Sequence, residues 1–322
     1  MEHDEFITLL NSNEEALYEQ AHSAREKIFG NKIYLRGLIE FTNFCKNDCF
    51  YCGLRHGNSE LERFRLTKEE ILECCAEGYG AGIRTFVLQG GEDVYFTDEI
   101  LVDIISAIKC KYSDCAVTLS IGEREFDSLK RLREAGADRY LLRQETSDSD
   151  HYATMHPPEM SLISRQKCLW NIKESGFQTG CGFMVGSPGQ TLENIVEDLI
   201  FTKELDPAMV GVGPFIPHSS TPFADKMAGD LRLVLNILAI LRLIKPNLLL
   251  PATTALATLD EKGYELGINA GANVIMQNIS PASAREKYRI YDNKAGVCEN
   301  LAQRMQSIGC EFAVSRGDYI EL

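Results

Sequence analysis

Three cysteines, Cys45, Cys49 and Cys52, stand in the stretch Phe41-Thr42-Asn43-Phe44-Cys45-Lys46-Asn47-Asp48-Cys49-Phe50-Tyr51-Cys52-Gly53. Their spacing is C-x3-C-x2-C, with no fourth cysteine nearby. A structural zinc site closes on four ligands. Three thiolates suit an iron–sulfur cluster that leaves one iron open to an outside ligand. Cysteine also packs as a small hydrophobe, but Lys46, Asn47 and Asp48 make this loop polar and unlike a core segment. A second group is Gly90-Gly91-Glu92, where two glycines let backbone approach a ligand closely beside a carboxylate. Arg143 and Glu145 place a cation and a carboxylate two residues apart. The glycine-rich run Gly180–Thr191 is no phosphate loop, because it lacks the Gly-Lys-Ser/Thr ending.

These residues need a frame. Glu2–Leu10 and Asn13–Phe29 read as helices, the second opening at an Asn13 cap and closing at Gly30. A regular alternation then begins. Strands are expected at Ile33–Phe41, Thr85–Leu88, Ala116–Ile121, Arg139–Gln144, Gln178–Val185, Met209–Ile216, Leu248–Thr254 and Asn273–Gln277. Helices follow them at Lys68–Gly80 (after a Thr67 cap), Asp98–Lys111, Glu125–Ala135, Ser161–Ser175, Leu192–Leu205, Asp230–Ile244, Lys262–Asn269 and Val297–Ser307. Ala81-Gly82, Ala135-Gly136, Ser175-Gly176 and Ala270-Gly271 are stop signals before strands. Eight strand–helix units predict a (β/α)8 TIM-type barrel. The expected division is an N-terminal helical extension over 1–31 and a barrel with a C-terminal closing segment over 32–322. In such barrels chemistry sits at the C-terminal strand ends, where the cysteine loop, Gly90-Gly91-Glu92, Arg143, Glu145, Pro251–Thr254 and Met276–Asn278 all fall.

The net charge of −14 gives little support to a nucleic-acid groove, since such domains are normally basic. Eleven cysteines in a long chain, an odd number without a signal-peptide pattern, predict a reducing cytosol and a cytoplasmic protein. No apolar run nears the ~20 residues needed to span a bilayer. Leu231–Ile244 is the most apolar segment, but Arg232, Asn236 and Arg242 interrupt it, so a core-facing helix is expected. Cys74, Cys75, Cys110, Cys115 and Cys168 fall in helices or their flanks and are expected to pack.

The cysteine loop, with Tyr51 just before its last cysteine, resembles the cluster-binding loop of radical S-adenosylmethionine (SAM) enzymes. The set "IEFTNFCKNDCFYCGLR", "LQGGED", "RYLLRQET", "MVGSPGQT", "PATTA" and "GANVIM" is similar to the HydE family, the radical SAM maturases of [FeFe]-hydrogenase. The similarity runs from about Tyr34 to Tyr291. Single motifs are shared with biotin synthase and methylornithine synthase.

The resemblance implies a [4Fe–4S] cluster on Cys45, Cys49 and Cys52, whose open iron chelates SAM and reduces it to a 5′-deoxyadenosyl radical. It implies that Gly90, Gly91 and Glu92 meet the methionine amino group, and that Glu145 and Arg165 meet the ribose and carboxylate. Tyr51 belongs to the same cofactor site, and the strand carrying Met184 resembles the platform beside the adenine. Thr118, Arg143, Thr253, Thr254, Met276, Tyr288 and Tyr291 match positions lining the family's substrate cavity. Arg143 can fork onto a carboxylate, threonines can orient an amino-acid part, and Met276 offers a soft wall. The implied substrate is a cysteine-bound iron carbonyl-cyanide complex from a partner maturase, attacked at sulfur, with an electron donor as a further partner.

Many relatives hold a second cluster near the C-terminus on three more cysteines; here only Cys298 and Cys310 lie there, too few for a cubane. His218, in a Pro-flanked turn that closes the cavity, reads as structural. A methylornithine-synthase-like mutase on lysine would use the same SAM residues but needs a carboxylate for the lysine side chain, which "PATTA" and Met276 do not suggest. A non-catalytic iron–sulfur carrier would have no use for Glu92 and Glu145, and a zinc-binding interaction module fits less well still.

Overall fold

The first strand carries the logic of the fold. Seven consecutive residues, Arg36 to Thr42, are buried, as a strand covered on both faces requires. Polar Arg36 and Glu40 among them must therefore point into the middle of a closed sheet rather than to solvent. The computed structural model describes residues 3–12, 14–298 and 300–322. The expected start at Glu2 and the Asn13 cap lie outside the described residues, as does Glu299 of the last expected helix.

The chain opens with α1 (His3–Leu10) and α2 (Glu14–Phe29), followed by β1 (Lys32–Thr42), α3 (Lys68–Gly80), β2 (Thr85–Gly90), α4 (Asp98–Lys111) and β3 (Ala116–Ser120). Next come α5 (Phe126–Glu134), β4 (Arg139–Leu141), α6 (Ser149–Met155), α7 (Leu162–Glu174), β5 (Gln178–Cys181) and β6 (Met184–Val185). Then follow α8 (Leu192–Leu205), β7 (Met209–Val210), β8 (Gly213–Pro214), α9 (Leu231–Ile244), β9 (Pro251–Ala252) and α10 (Thr254–Leu259). The chain ends with α11 (Gly263–Asn269), β10 (Val274–Asn278), α12 (Ala282–Lys287), α13 (Leu301–Ser307) and β11 (Glu311–Ala313).

The main sheet runs β7-β5-β4-β3-β2-β1-β10-β9, every pair parallel. A parallel bridge between Met209 and Leu249 brings its two ends together. Val210 N donates to Leu249 O at 3.2 Å and Leu249 N to Ala208 O at 3.0 Å. The result is the expected eight-stave α/β barrel. Thr67 closes a capping box with Glu70 at the start of α3. Gly82, Gly136, Gly176 and Gly271 take the left-handed conformation that stops each helix before its strand.

Three expected strands differ in the structure. The single strand expected over Gln178–Val185 breaks into β5 and β6, and that over Met209–Ile216 into β7 and β8. The break falls where the two backbones nearly touch: a Cβ on Gly182 would lie 2.1 Å from Gly211 O. Beyond it β6 and β8 leave the barrel wall and pair with each other. The strand expected to end at Thr254 is only β9, and Thr254 opens a helix instead. α9 is the core-facing helix expected, with Asn236 and Arg242 buried among its apolar residues. Arg242 donates to the carbonyls of Gly271, Pro246 and Leu248 at 2.7–2.8 Å, so the guanidinium satisfies loop ends that would otherwise lie unpaired. Asn236 ties the N-terminal helices on, donating to Leu10 O at 3.1 Å and accepting from Tyr18 at 2.9 Å. Cys74, Cys75, Cys115 and Cys168 are buried as expected, whereas Cys110 is exposed on α4.

β11 pairs with the start of β1, and the residues after it cross the barrel floor. There the buried Arg139 donates to Arg316 O and Gly317 O and to the Asp318 carboxylate at 2.7–3.1 Å. No described helix is long and apolar enough to cross a membrane.

Candidate active site

The loop that leaves β1 is fastened by side chains with little freedom left. Buried Asn43 donates to Glu62 O and Lys287 O at 2.9 Å and accepts from Phe64 N at 2.8 Å. Arg63 donates to the carbonyls of Leu54 and Arg55 at 2.9 and 2.7 Å. Asp48 receives Arg55 Nε at 2.7 Å and Gly57 N at 2.8 Å. The loop edges hydrogen-bond to Glu92 O, Met155 O and Ile290 O through the amides of Lys46, Phe50 and Gly53. Gly91 must be glycine here: a Cβ would fall 2.2 Å from Phe44 O.

Cys45, Cys49 and Cys52 are all unpaired and partly exposed. Burial, with Cys45 adding to it, pushes the Cys52 thiol up to about 12. Burial, then Cys52 and Cys45, raises Cys49 as well. The three thiols therefore sense one another, and they ionise only if a cation offsets the charge they would share. Among the described residues no three His, Cys, Asp or Glu side chains converge tightly enough for one metal ion. A cubane takes its three thiolates at three separate irons, so this donor set fits the cluster without such convergence.

Beyond β2, Glu92 lies against Gly122, where a Cβ would fall 1.8 Å from Glu92 Cγ. Its oxygens stand 3.2 Å from Lys46 Nζ and 3.5 Å from Arg165 Nη2. Arg165 is a buried residue of α7 rather than a solvated one, and its Nε is 2.8 Å from Glu123. Burial pulls its guanidinium down, but Glu92 and Glu123 outweigh that and hold it above its ordinary value. Burial raises the Glu123 carboxyl, and Arg165 opposes the rise. Sequence reading missed Glu123, though its place just after a strand end was a usable signal. Tyr51 hydroxyl lies 3.2 Å from His156 Nε2, and burial lowers His156 to about 4, so that ring is neutral.

Glu145 follows β4 with φ +70°, an unusual backbone for a carboxylate residue. It is held there by Glu145 N to Gly182 O at 3.2 Å and Met184 N to Glu145 O at 3.0 Å. Its Oε2 stands 3.0 Å from Arg143 Nη2, which donates to Phe183 O at 2.8 Å.

These strand ends surround a cavity of about 340 Å³. Cys45, Tyr51, Cys52, Gly90, Gly91, Glu145 and Met184 are among the residues that line it. Arg143, Thr253, Thr254, Met276, Tyr288 and Tyr291 line it as well. Cys49, Glu92 and Arg165 are not on this wall; Cys49 Sγ touches Met160 Sδ at 3.7 Å. Thr118 is not on the wall either; Ser120, two residues on along the same face of β3, is. Glu40, Gln89 and Lys294 also line the cavity and went unnoticed in the sequence. Among the described residues Arg143 Nε, Thr253 Oγ1 and Thr118 Oγ1 are buried without a hydrogen-bond partner. Buried polar groups are normally satisfied, so Arg143 Nε and Thr253 Oγ1, left over on the cavity wall, mark a space shaped for a polar ligand. His218 is buried against Gly53 and accepts from Ser220 N at 3.0 Å.

Comparison with known proteins matches residues 39–201 to the Radical SAM superfamily. The chain is 44% identical to the [FeFe] hydrogenase maturase subunit HydE of Thermotoga maritima, over 88% of this chain and 81% of that protein. It is 32% identical to 3-methylornithine synthase of Methanosarcina acetivorans, over 93% of this chain and 85% of that protein. Among solved structures, methylornithine synthase (PylB) superposes with a TM-score of 0.85 at 29% identity, covering 97% of this chain and 94% of that one. The maturase HydG of Carboxydothermus hydrogenoformans, at 20% identity and a TM-score of 0.85, shares the fold. The chain belongs to the radical SAM superfamily, in the group that includes HydE, as an enzyme that carries a [4Fe–4S] cluster and uses SAM.

Proposed function

We propose that this enzyme is a maturase of the HydE type, acting in assembly of the two-iron subcluster of [FeFe]-hydrogenase. The observation that carries the reading is the 44% identity with a HydE subunit over 88% of the chain. The cavity supports it by gathering a cationic donor, two threonines and a methionine with Cys45 and Cys52 of the three-cysteine loop. Cys45, Cys49 and Cys52 would hold the cluster. When bound, the cluster and SAM supply a 5′-deoxyadenosyl radical.

The chain's own part is placement. Gly90 and Gly91 let backbone come close to SAM, while Glu92, steadied by Lys46 and Arg165, supplies a carboxylate for its amino group. Glu145 would meet the ribose, with Met184 and Tyr51 beside it. Arg143 would turn its free Nε toward a substrate carboxylate, and Thr253 and Thr254 would orient the amino-acid part. Met276, Tyr288 and Tyr291 would close the apolar side and keep water out. Thr118, one layer below the cavity, would act through the floor rather than by touching the substrate. The substrate on this reading is a small, cysteine-bound iron carbonyl-cyanide complex supplied by a partner maturase, attacked at sulfur, and the electron comes from a separate donor. The 32–322 barrel would do this as one unit in the cytoplasm, with residues 1–31 as a helical extension.

A defined maturation mixture tests this. Apo-[FeFe]-hydrogenase with every other maturase, SAM and reductant should gain hydrogen evolution only when this chain is added. A mixture that stays inactive with the cluster-loaded chain present, while a known HydE activates it, would count against the proposal.

A further inference from the structure

The cavity holds one charged pair that the proposed reaction does not use. Four charged side chains line it: Arg143, Glu145, Glu40 and Lys294. The first two face each other, and Arg143 keeps a buried Nε with no partner among the described residues. The other two form a separate pair. Glu40 is fully buried on β1, and one carboxylate oxygen accepts Asn278 Nδ2 at 2.7 Å. The other accepts the ammonium of Lys294, whose side chain reaches in from the segment after α12. Lys294 Nζ also lies 4.9 Å from the Tyr288 ring, which holds the side chain in place. Burial works to raise the Glu40 carboxyl and Lys294 opposes it, so the pair depends on both members.

A carboxylate deep in a substrate chamber is what an ammonium-bearing side chain would seek. Here both of its oxygens are taken, one of them by a cation of the chain itself. We infer that Lys294 is a specificity-determining residue: it occupies on Glu40 the place a ligand's side-chain ammonium would take. The chamber then accepts carboxylate ligands through Arg143 and refuses diamino acids such as lysine. Refusal follows because a lysine side chain would have to displace a tethered, already desolvated ammonium or lie buried without a counter-ion. The inference rests on the reading of this cavity as the substrate site, and it explains how a barrel so like methylornithine synthase can be closed to lysine.

The test measures binding, so it does not depend on turnover. Cluster-loaded protein with SAM is titrated with L-lysine and with n-butylammonium by calorimetry. The parent should bind both weakly, and Lys294→Met should bind each at least about tenfold more tightly than the parent. Lys294→Met combined with Glu40→Gln should lose that gain. Because Lys294→Met leaves a buried carboxylate unpaired and could fail to fold, Glu40→Gln alone provides the reciprocal measurement. It frees the Lys294 ammonium and should tighten binding of propionate by about tenfold. Lysine bound equally by parent and Lys294→Met, or propionate bound equally by parent and Glu40→Gln, overturns the inference. Failure in the maturation mixture with these binding results intact would instead overturn the proposed function.

Discussion

Replacing Arg165 by Met tests how far the buried carboxylates behind the cysteine loop, Glu123 and the Glu92 it shares with Lys46, depend on that guanidinium. Arg165 stands 2.8 Å from Glu123 and 3.5 Å from Glu92, and all three side chains are less than a third exposed. Methionine keeps much of the volume but leaves two enclosed carboxylates without their guanidinium. Breaking a buried pair from one side costs on the order of 3–5 kcal/mol. For a chain of this size each kcal/mol lowers Tm by about 2 °C, so the variant should melt roughly 6–10 °C lower. The loss should also depend on pH. Burial already raises the folded Glu123 carboxyl, and removing Arg165 takes away what opposes that rise. A carboxyl raised on folding destabilises above its folded pKa and ceases to as it takes up a proton, so the deficit should be larger at about pH 8 than at about pH 5.5. Thermal melts of parent and variant at both pH values, under anaerobic conditions, provide the assay. A deficit under about 2 °C that is equal at both pH values would refute the reasoning.

Anaerobic iron and sulfide analysis should give about four of each per chain, lost on Cys52→Ser; a value near eight that survives the substitution would contradict a single cluster on this loop. Glu145→Ala removes a charge-assisted hydrogen bond proposed for the SAM ribose, so calorimetry should show SAM affinity down by about 1.5–3 kcal/mol, while visible absorption of the cluster stays. Unchanged SAM affinity would move the cofactor elsewhere. Arg143→Lys keeps the charge but loses the planar fork, so product formation should slow while SAM cleavage without substrate persists; equal slowing of both would place Arg143 with SAM instead.

The barrel was legible because eight apolar runs alternate with helical patterns, and four of those helices stop at glycines that the structure shows in the left-handed conformation, Gly82, Gly136, Gly176 and Gly271. What escaped was local. β7, β8 and β9 are two residues long, so no periodicity could mark where Met209–Ile216 breaks. The break depends on contact between Gly182 and Gly211, which are far apart in sequence. The short helices α6, α10 and α12 lie within loops and are stabilised by neighbours rather than by their own pattern. The cavity-lining strand ends stood out as polar residues after apolar runs. Glu40 did not, because inside a strand a lone carboxylate looks like an outward-facing residue until the sheet closes around it. Lys294 was still less visible, since its partner lies on β1 at the other end of the chain. Arg165 read as one member of a cofactor pair, and its tie to Glu123 appears only once α5 and α7 pack side by side.

The measurement that bears most directly on the proposed function is mass spectrometry of products from parallel anaerobic reactions. Each contains the cluster-loaded enzyme, SAM and reductant, one with a cysteine-bound iron carbonyl-cyanide complex and the other with L-lysine. The account predicts a product carrying adenosyl carbon on sulfur from the iron complex, and unreacted lysine. Conversion of lysine to a branched isomer, with no adenosyl–sulfur product from the iron complex, would contradict it.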